Sequence, residues 1–465
     1  MKHNRGITAI SCGHQAVADA ANDILMSGGN AADAAVAAAL CSCVVEPVLS
    51  SLGGGGLGII WQPNKPIEAI DFWIAPPKKY DSHSERETVM LDWPGGIKQP
   101  FAVGGGSVGV WGMPRGLEAL SKRYGFLERG DTAAKAIELS KYPPPLNQSQ
   151  AEWMSLLHGV HTHYGGMKDS KPQAQDHFTW PGLTRSLEIF ADRGADDFYK
   201  GDWSLAALTS LDGQGPSSGD LKAYQAKIDT APSLSLGSVR LSLPLKSLTS
   251  QLLHRLSLPI SDDKQHLNRS IADNLQRFAM DGKHHAGPST TSIMVRDADG
   301  MSVALVLSNG SGSGVFAQGV QLNNVGGEID LLQSANWNSS QDRFPTRMCP
   351  LVAQRDKQWL MLGSGGSERI TSATLQVLYY NMWAGDTLSL SIAAPRMYAE
   401  DASVQIEPGA PFLNLLSPQS AIHTWENIHQ YFGGVNAIAQ SADGAIDACS
   451  DPRRQGASMI TNSID

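Results

Sequence analysis

Thr290 sits in the run Gly287-Pro288-Ser289-Thr290-Thr291-Ser292, a combination of residues that could make a chain cut itself and then act as a catalyst. A threonine hydroxyl is a weak nucleophile at its own pKa. It is activated when it stands at a chain terminus, where its own α-amine takes the proton. An internal Thr-Thr pair gains such a terminus only if the chain breaks in front of Thr290. On these six residues alone, a Ser/Thr-rich turn feeding a strand is the plainer reading.

Further groups of the right chemical type lie downstream. Ser308-Asn309 ends an apolar strand pattern and opens a glycine-rich loop. Gly363-Ser364-Gly365-Gly366-Ser367 separates a strand pattern from a helical one, a turn where bare backbone N–H groups can approach an oxygen that gains negative charge. Glu328 follows Gly326-Gly327, where an acidic residue is most often a solvated loop charge. His158, His161 and His163 have a spacing that does not share one helical face, and no acidic or cysteine partner completes a ligand set, so neither a metal nor a cofactor is expected. The loop Ser51-Leu52-Gly53-Gly54-Gly55-Gly56 lacks the Gly-Lys-Ser/Thr ending of a phosphate cradle.

These residues must be positioned by ordered elements. Helical spacing runs from His14 to Met26, and an Ala-rich helix from Ala31 to Cys43 follows the break at Gly28-Gly29-Asn30. A buried strand is expected at Ile59-Ile60-Trp61. From Pro114 to about Leu256 the pattern reads as helical, most clearly in 115–124, 132–141 and 182–193. Strands are expected at 292–296, 302–307, 351–354 and 359–362, then a helix over 370–383. No solenoid-type repeat is present.

The bulk properties narrow the partners. A net charge of -9 with no Lys/Arg cluster argues against nucleic acid. Five cysteines without a CxxC pair fit reduced thiols rather than a disulfide framework or zinc site. The N-terminus lacks the apolar core of a secretory signal, and the apolar stretch 31–45 carries Asp33 and is too short for a membrane span. The expectation is a soluble cytoplasmic protein, or a periplasmic one whose leader has been removed.

Several motifs in order carry a family resemblance. They are GGNAADAAVA at 28–37, VEP at 45–47 with GGGG at 53–56, GADDFYKG at 194–201 and DLKAY at 220–224. The Thr-Thr junction, LNN at 322–324, LGSGGS at 362–367 and APR at 394–396 complete the set. Together they resemble the γ-glutamyltranspeptidase family of N-terminal-nucleophile hydrolases over most of the chain. The resemblance implies an α/β (α+β) fold, a four-layer αββα sandwich. It also implies self-cleavage between Ser289 and Thr290, giving a large fragment, 1–289, and a small one, 290–465, in one intertwined unit.

By the same resemblance Thr290 is the nucleophile, Ser308 the hydroxyl that orients it, and Gly365 and Gly366 the oxyanion donors. Asn309 would contact substrate, Glu328 would hold its α-ammonium and Thr346 would help bind its α-carboxylate. The default chemistry is transfer of a γ-glutamyl group, as from glutathione, to water or an amine.

Departures keep alternatives open. Where the family has an arginine that forks onto the α-carboxylate, Asp71-Phe72-Trp73-Ile74 places Trp73, which can donate one N–H but cannot neutralise a carboxylate. Arg115 and Arg347 are candidates to supply the charge from elsewhere. The alternatives are an acylase or amidase acting on a non-glutamyl small amide, and a non-processing member that serves as a binding or scaffold protein.

Overall fold

The apolar runs around the Thr-Thr junction form two adjacent antiparallel strands, Ser289–Arg296 and Ser302–Gly310, in which Thr290 lies opposite Ser308. Side chains alternate between faces along a strand. Ile293 and Val295 therefore enter a core shared with helices, while Met294 enters a core between two sheets. Thr290 and Ser292 share the inter-sheet face with Met294, and Thr291 points the other way. The computed structural model describes residues 6–80, 86–92, 98–163, 167, 170–244, 247–256, 263–279, 289–328, 341–400, 403–416 and 421–462. Gly287-Pro288 and the His284-His285 pair lie outside the described residues.

The two strands sit at the centre of a seven-stranded sheet. Ile7–Cys12 and Ala457–Asn462 continue it on one side, and Gly55–Trp61, Glu68–Phe72 and Lys227–Thr230 on the other. A second, six-stranded sheet is ordered Ile446–Ser450, Gly434–Gln440, Gln358–Gly365, Leu351–Arg355, Val239–Ser242, Ser233–Leu236. The sheets face each other through Ile59, Met294, Ala304, Met361 and Ile438. Segments before and after Thr290 contribute strands to both sheets.

Helices cover the outer faces, which makes the arrangement the expected four-layer αββα sandwich. On the first sheet lies Ala31–Val45, buried at every residue. Its alanines let the helix sit close to both the sheet and the neighbouring helix Arg129–Lys141. Its start is held by a reciprocal capping box between Asn30 and Asp33, which satisfies backbone donors that would otherwise be orphaned inside the protein. On the second sheet lies Arg369–Met382, packed against Gln358–Gly365.

The expected helix-rich region 114–256 is helical over most of its length but also contributes the short strands Lys227–Thr230, Ser233–Leu236 and Val239–Ser242. Four-residue strands are too brief for periodicity to separate from loops. Among the described residues no helix is long and apolar enough to cross a membrane. All five cysteines are free thiols.

Candidate active site

The uncut chain holds Ser289, Thr290 and Ser308 in one hydrogen-bonded group. The Thr290 hydroxyl donates to Ser308 Oγ (3.3 Å). Ser308 Oγ donates to the carbonyl oxygen of Ser289 (2.5 Å) and accepts from the Gly310 N–H (3.1 Å). The ladder slips between Ser308 and Gly310, and this irregularity brings the Gly310 amide onto the Ser308 hydroxyl. Thr290 and Ser308 are 4% and 5% exposed, so bulk water competes little for these bonds. The Ser289 side chain points to the opposite face and bonds to Ser311 Oγ.

Glycines of the second sheet close over this group. A Cβ at Gly365 would lie 2.1 Å from the Thr290 carbonyl oxygen, so no larger residue lets the strand end approach so closely. Gly366 has φ +128°, a conformation that L side chains rarely adopt, and Arg369–Met382 begins three residues later. The expected oxyanion donors and the expected nucleophile therefore share one spot.

Sequence reasoning did not single out Arg454. Its Nη1 donates to the Thr290 carbonyl oxygen (2.6 Å), and its guanidinium packs over the Trp153 ring at 5.3 Å. Nε and Nη2 are buried without hydrogen-bond partners among the described residues. Burial pulls its pKa down to about 10, against the opposing charges of Asp451 and Glu46. The short turn Pro452–Arg454 that carries it is capped by Asp451, whose carboxylate also binds Arg396 (2.7 Å) and the Val435 N–H (2.9 Å). Trp153 also lines a cavity of about 530 Å³ with Glu152, His429 and Gln430.

Glu46 lies on the helix side of the same strand. The Thr291 hydroxyl donates to Glu46 Oε1 (2.8 Å), while Oε2 has no partner among the described residues. Burial pushes this carboxyl up to about 7, opposed by the Thr291 bond and by Arg454. The sequence displayed the Glu46-Pro47 motif but gave no sign of its contact with Thr291.

The remaining expected site residues separate into two groups. Trp73, 3% exposed, packs in an apolar cluster with Leu57, Val306, Val325, Phe344, Met348 and Ile370. Val306 is two residues before Ser308 on the same strand face, so this cluster borders the nucleophile group. Trp73 Nε1 has no partner among the described residues. The Thr346 hydroxyl accepts from the Met348 N–H (3.1 Å), at the edge of this cluster.

Asn309 faces away from Thr290. Its Nδ2 reaches Gln321 Oε1 (3.4 Å), and Gln321 Nε2 contacts His161 Nδ1 (2.6 Å) on the helix side. Burial pulls His161 down to about 3, which fits a neutral structural imidazole. Glu328 is half-buried at the end of the short turn Val325–Gly327. Arg115 is committed elsewhere, paired with Asp196 (2.7 Å) and Glu118 (3.4 Å). Among the described residues no group of His, Cys, Asp and Glu could hold a metal ion.

The family model for gamma-glutamyltranspeptidase matches residues 17–248 and 243–461. The chain belongs to the γ-glutamyltranspeptidase family. Its γ-glutamyltranspeptidase-family relatives include the glutathione hydrolase proenzyme of Pseudomonas aeruginosa, 26% identical, with 95% of this chain and 92% of the relative covered. That of Escherichia coli K12 is 24% identical, with 93% and 88% covered. In fold, the chain superposes on a cephalosporin acylase from Bacillus halodurans with a TM-score of 0.83 at 20% identity, covering 98% of this chain and 96% of that one. The protein is thus a hydrolase or transferase of the γ-glutamyltranspeptidase family, built as an N-terminal-nucleophile sandwich.

Proposed function

We propose that this protein cuts itself between Ser289 and Thr290 and then uses Thr290 to hydrolyse or transfer the acyl group of a small non-glutamyl amide. In the first reaction Thr290 Oγ attacks the Ser289 carbonyl carbon. The peptide nitrogen leaves with a proton as the free amine, and an ester to Oγ replaces the amide. Water then hydrolyses that ester, leaving a Ser289 carboxylate and a Thr290 hydroxyl beside its own α-amine.

In the second reaction the α-amine takes the Oγ proton as Oγ attacks the substrate amide, and passes it to the leaving amine. Water or another amine releases the acyl group. Gly365 and Gly366 would stabilise the oxyanion through their backbone N–H groups. The word "proenzyme" in the names of the relatives supports the processing step.

The observation that carries the acyl preference is Trp73: it stands in the sequence where the family resemblance puts an arginine, and it is buried in an apolar cluster, while Arg115 is tied to Asp196 and Glu118. A buried indole offers one donor and no charge. The experiment is intact-mass measurement after expression, followed by turnover of γ-glutamyl-p-nitroanilide beside a panel of non-glutamyl acyl-p-nitroanilides. Fragments meeting at 289/290 and turnover of the non-glutamyl compounds are the expected result. A single uncut chain defeats the enzyme reading and favours a scaffold. Exclusive turnover of the γ-glutamyl compound defeats the acyl assignment alone.

A further inference from the structure

Self-cleavage would turn Thr290 from a link in the chain into its end, and a strand end frays unless it is tied down. The neighbouring strand Ile7–Cys12 stops short of it. Its last residue, Cys12, lies opposite Ile293, so Thr290, Thr291 and Ser292 have a strand partner on one side only. On the open side single bonds take over: Arg454 Nη1 donates to the Thr290 carbonyl oxygen, and Asn436 Nδ2 to that of Ser292 (2.9 Å). On the inter-sheet face Thr290 bonds to Ser308, and Ser292 Oγ donates to the Gly363 carbonyl oxygen (3.1 Å). The helix face has one side-chain bond from these three residues among the described residues, from the Thr291 hydroxyl to Glu46 Oε1 (2.8 Å).

Glu46 is built as a fixed post. It closes the helix Ala31–Val45, where its N–H donates to the Ser42 carbonyl (2.9 Å), and its own carbonyl accepts from the Leu49 and Ser50 N–H groups (2.9 and 3.1 Å). On either side, the Val45 carbonyl accepts from Gln150 Nε2 and the Pro47 carbonyl from Trp180 Nε1. Gly13 leaves room for the contact, since a Cβ there would collide with Glu46 Oε1 and Thr291 Oγ1. Burial pushes the carboxyl up to about 7, and either charge state leaves Oε1 able to accept from Thr291.

We infer that Glu46 is a positioning residue that holds the new N-terminus in register through Thr291, so that the Thr290 hydroxyl and α-amine keep their attacking geometry after the cut. This rests on the proposed Thr290 chemistry. Before the cut, Thr290 is held by the chain on both sides and the Thr291–Glu46 bond adds little. After it, Thr291 is the first residue with chain on both sides, and its anchor sets where Thr290 points. Glu46 therefore acts on turnover rather than on self-cleavage.

The test compares the two reactions in Thr291→Val, which keeps the branched shape and loses the hydroxyl. Fragment appearance by intact mass should match wild type within about threefold. For whichever of the γ-glutamyl and non-glutamyl p-nitroanilides wild type cleaves, kcat should fall about 30-fold with KM within about threefold. Thr291→Ser and Glu46→Gln each keep the bond and should hold kcat within about threefold of wild type. Should Thr291→Val fail to accumulate, Thr291→Val/Glu46→Leu removes both partners without orphaning either, and the same kcat loss is expected. Hydrogen exchange separates positioning from support of the fold. Amides 292–295 should exchange at least about tenfold faster in processed Thr291→Val than in processed wild type, and no faster when both carry Thr290→Ala and stay uncut.

An unchanged kcat in cut Thr291→Val, self-cleavage slowed as much as turnover, or exchange raised equally in the uncut pair overturns the assignment and leaves Thr290 in place. A wild type that neither cuts at 289/290 nor turns over any amide overturns the Thr290 chemistry itself, and intact mass tells these failures apart.

Discussion

The hydroxyl of Ser308 donates to the carbonyl oxygen of Ser289 while it accepts the hydroxyl proton of Thr290. One side chain therefore touches both the attacking oxygen and the oxygen that would become negative in self-cleavage. Such a contact strengthens as charge develops, which is the condition for lowering a barrier.

Removing that contact should slow processing without destroying the fold. Ser308→Ala is expected to reduce the self-cleavage rate by about 10²-fold, since one oxyanion donor is lost, and Ser308→Thr should retain much of it. Thr290→Ala should abolish cleavage. A time course of fragment appearance by intact mass reads all three. Cleavage of Ser308→Ala at the wild-type rate would remove Ser308 from the reaction.

Arg454 should tune the general base after cleavage. Its cation sits on the carbonyl of the residue whose α-amine must stay unprotonated, and a nearby positive charge disfavours the ammonium form. The charges that act with it are Glu46 on the helix side and Asp451 and Arg396 behind the turn. Arg454→Met should therefore raise the amine pKa, moving the acid limb of the kcat/KM profile upward by about one pH unit, and Arg454→Lys should move it less. An unmoved limb in Arg454→Met would show that the arginine only packs.

Glu46 should make stability depend on pH. Burial raises its folded-state pKa from 4.5 to about 7, so the folded protein holds the proton more tightly than the unfolded chain. Its contribution is full below about pH 4.5 and is lost as pH rises through about 7. In a Thr290→Ala background, which keeps one chain, Glu46→Gln should remove this loss and be more stable at pH 8 by up to about 3 kcal/mol relative to its difference at pH 4. Parallel denaturation curves for the two proteins from pH 4 to 8 would contradict the assignment.

Gly365 should tolerate no side chain. Gly365→Ala places a methyl against the Thr290 carbonyl and Arg454 Nη1, which must move apart, at a cost of about 1–3 kcal/mol and with loss of processing. Gly130, near the start of Arg129–Lys141 with open space around it, is the control, and Gly130→Ala should be neutral or slightly stabilising. Thermal denaturation and fragment mass check both.

Much of this protein was legible in the chain because its main elements are long and strongly patterned. The Ala-rich helix, the two strands that follow on from the Thr-Thr junction and the helix after Gly365-Gly366 all follow from local periodicity and from glycine at the turns. The resemblance carried by the ordered motifs extended that reading to the layer order and to Thr290, Ser308, Gly365 and Gly366, which the structure gathers in one place. Strands of four residues, such as Ser233–Leu236, were not legible, because too few positions exist to show a period.

What only the tertiary structure decided are the relations between distant segments and the faces of side chains. Asn309 follows Ser308 directly, yet the alternation of a strand sends it to the helix side with Gln321. Arg454 and Glu46 lie 164 and 244 positions from Thr290 and reach its strand only when sheet, helix and turn are stacked, as the bonds to Thr290 and Thr291 record. Arg115 and Arg347 read alike as spare cations in the sequence. Folding pairs the first with Asp196 and Glu118 and buries the second with no acidic partner among the described residues, because whether a charge is spent depends on what the packed chain brings within reach of it.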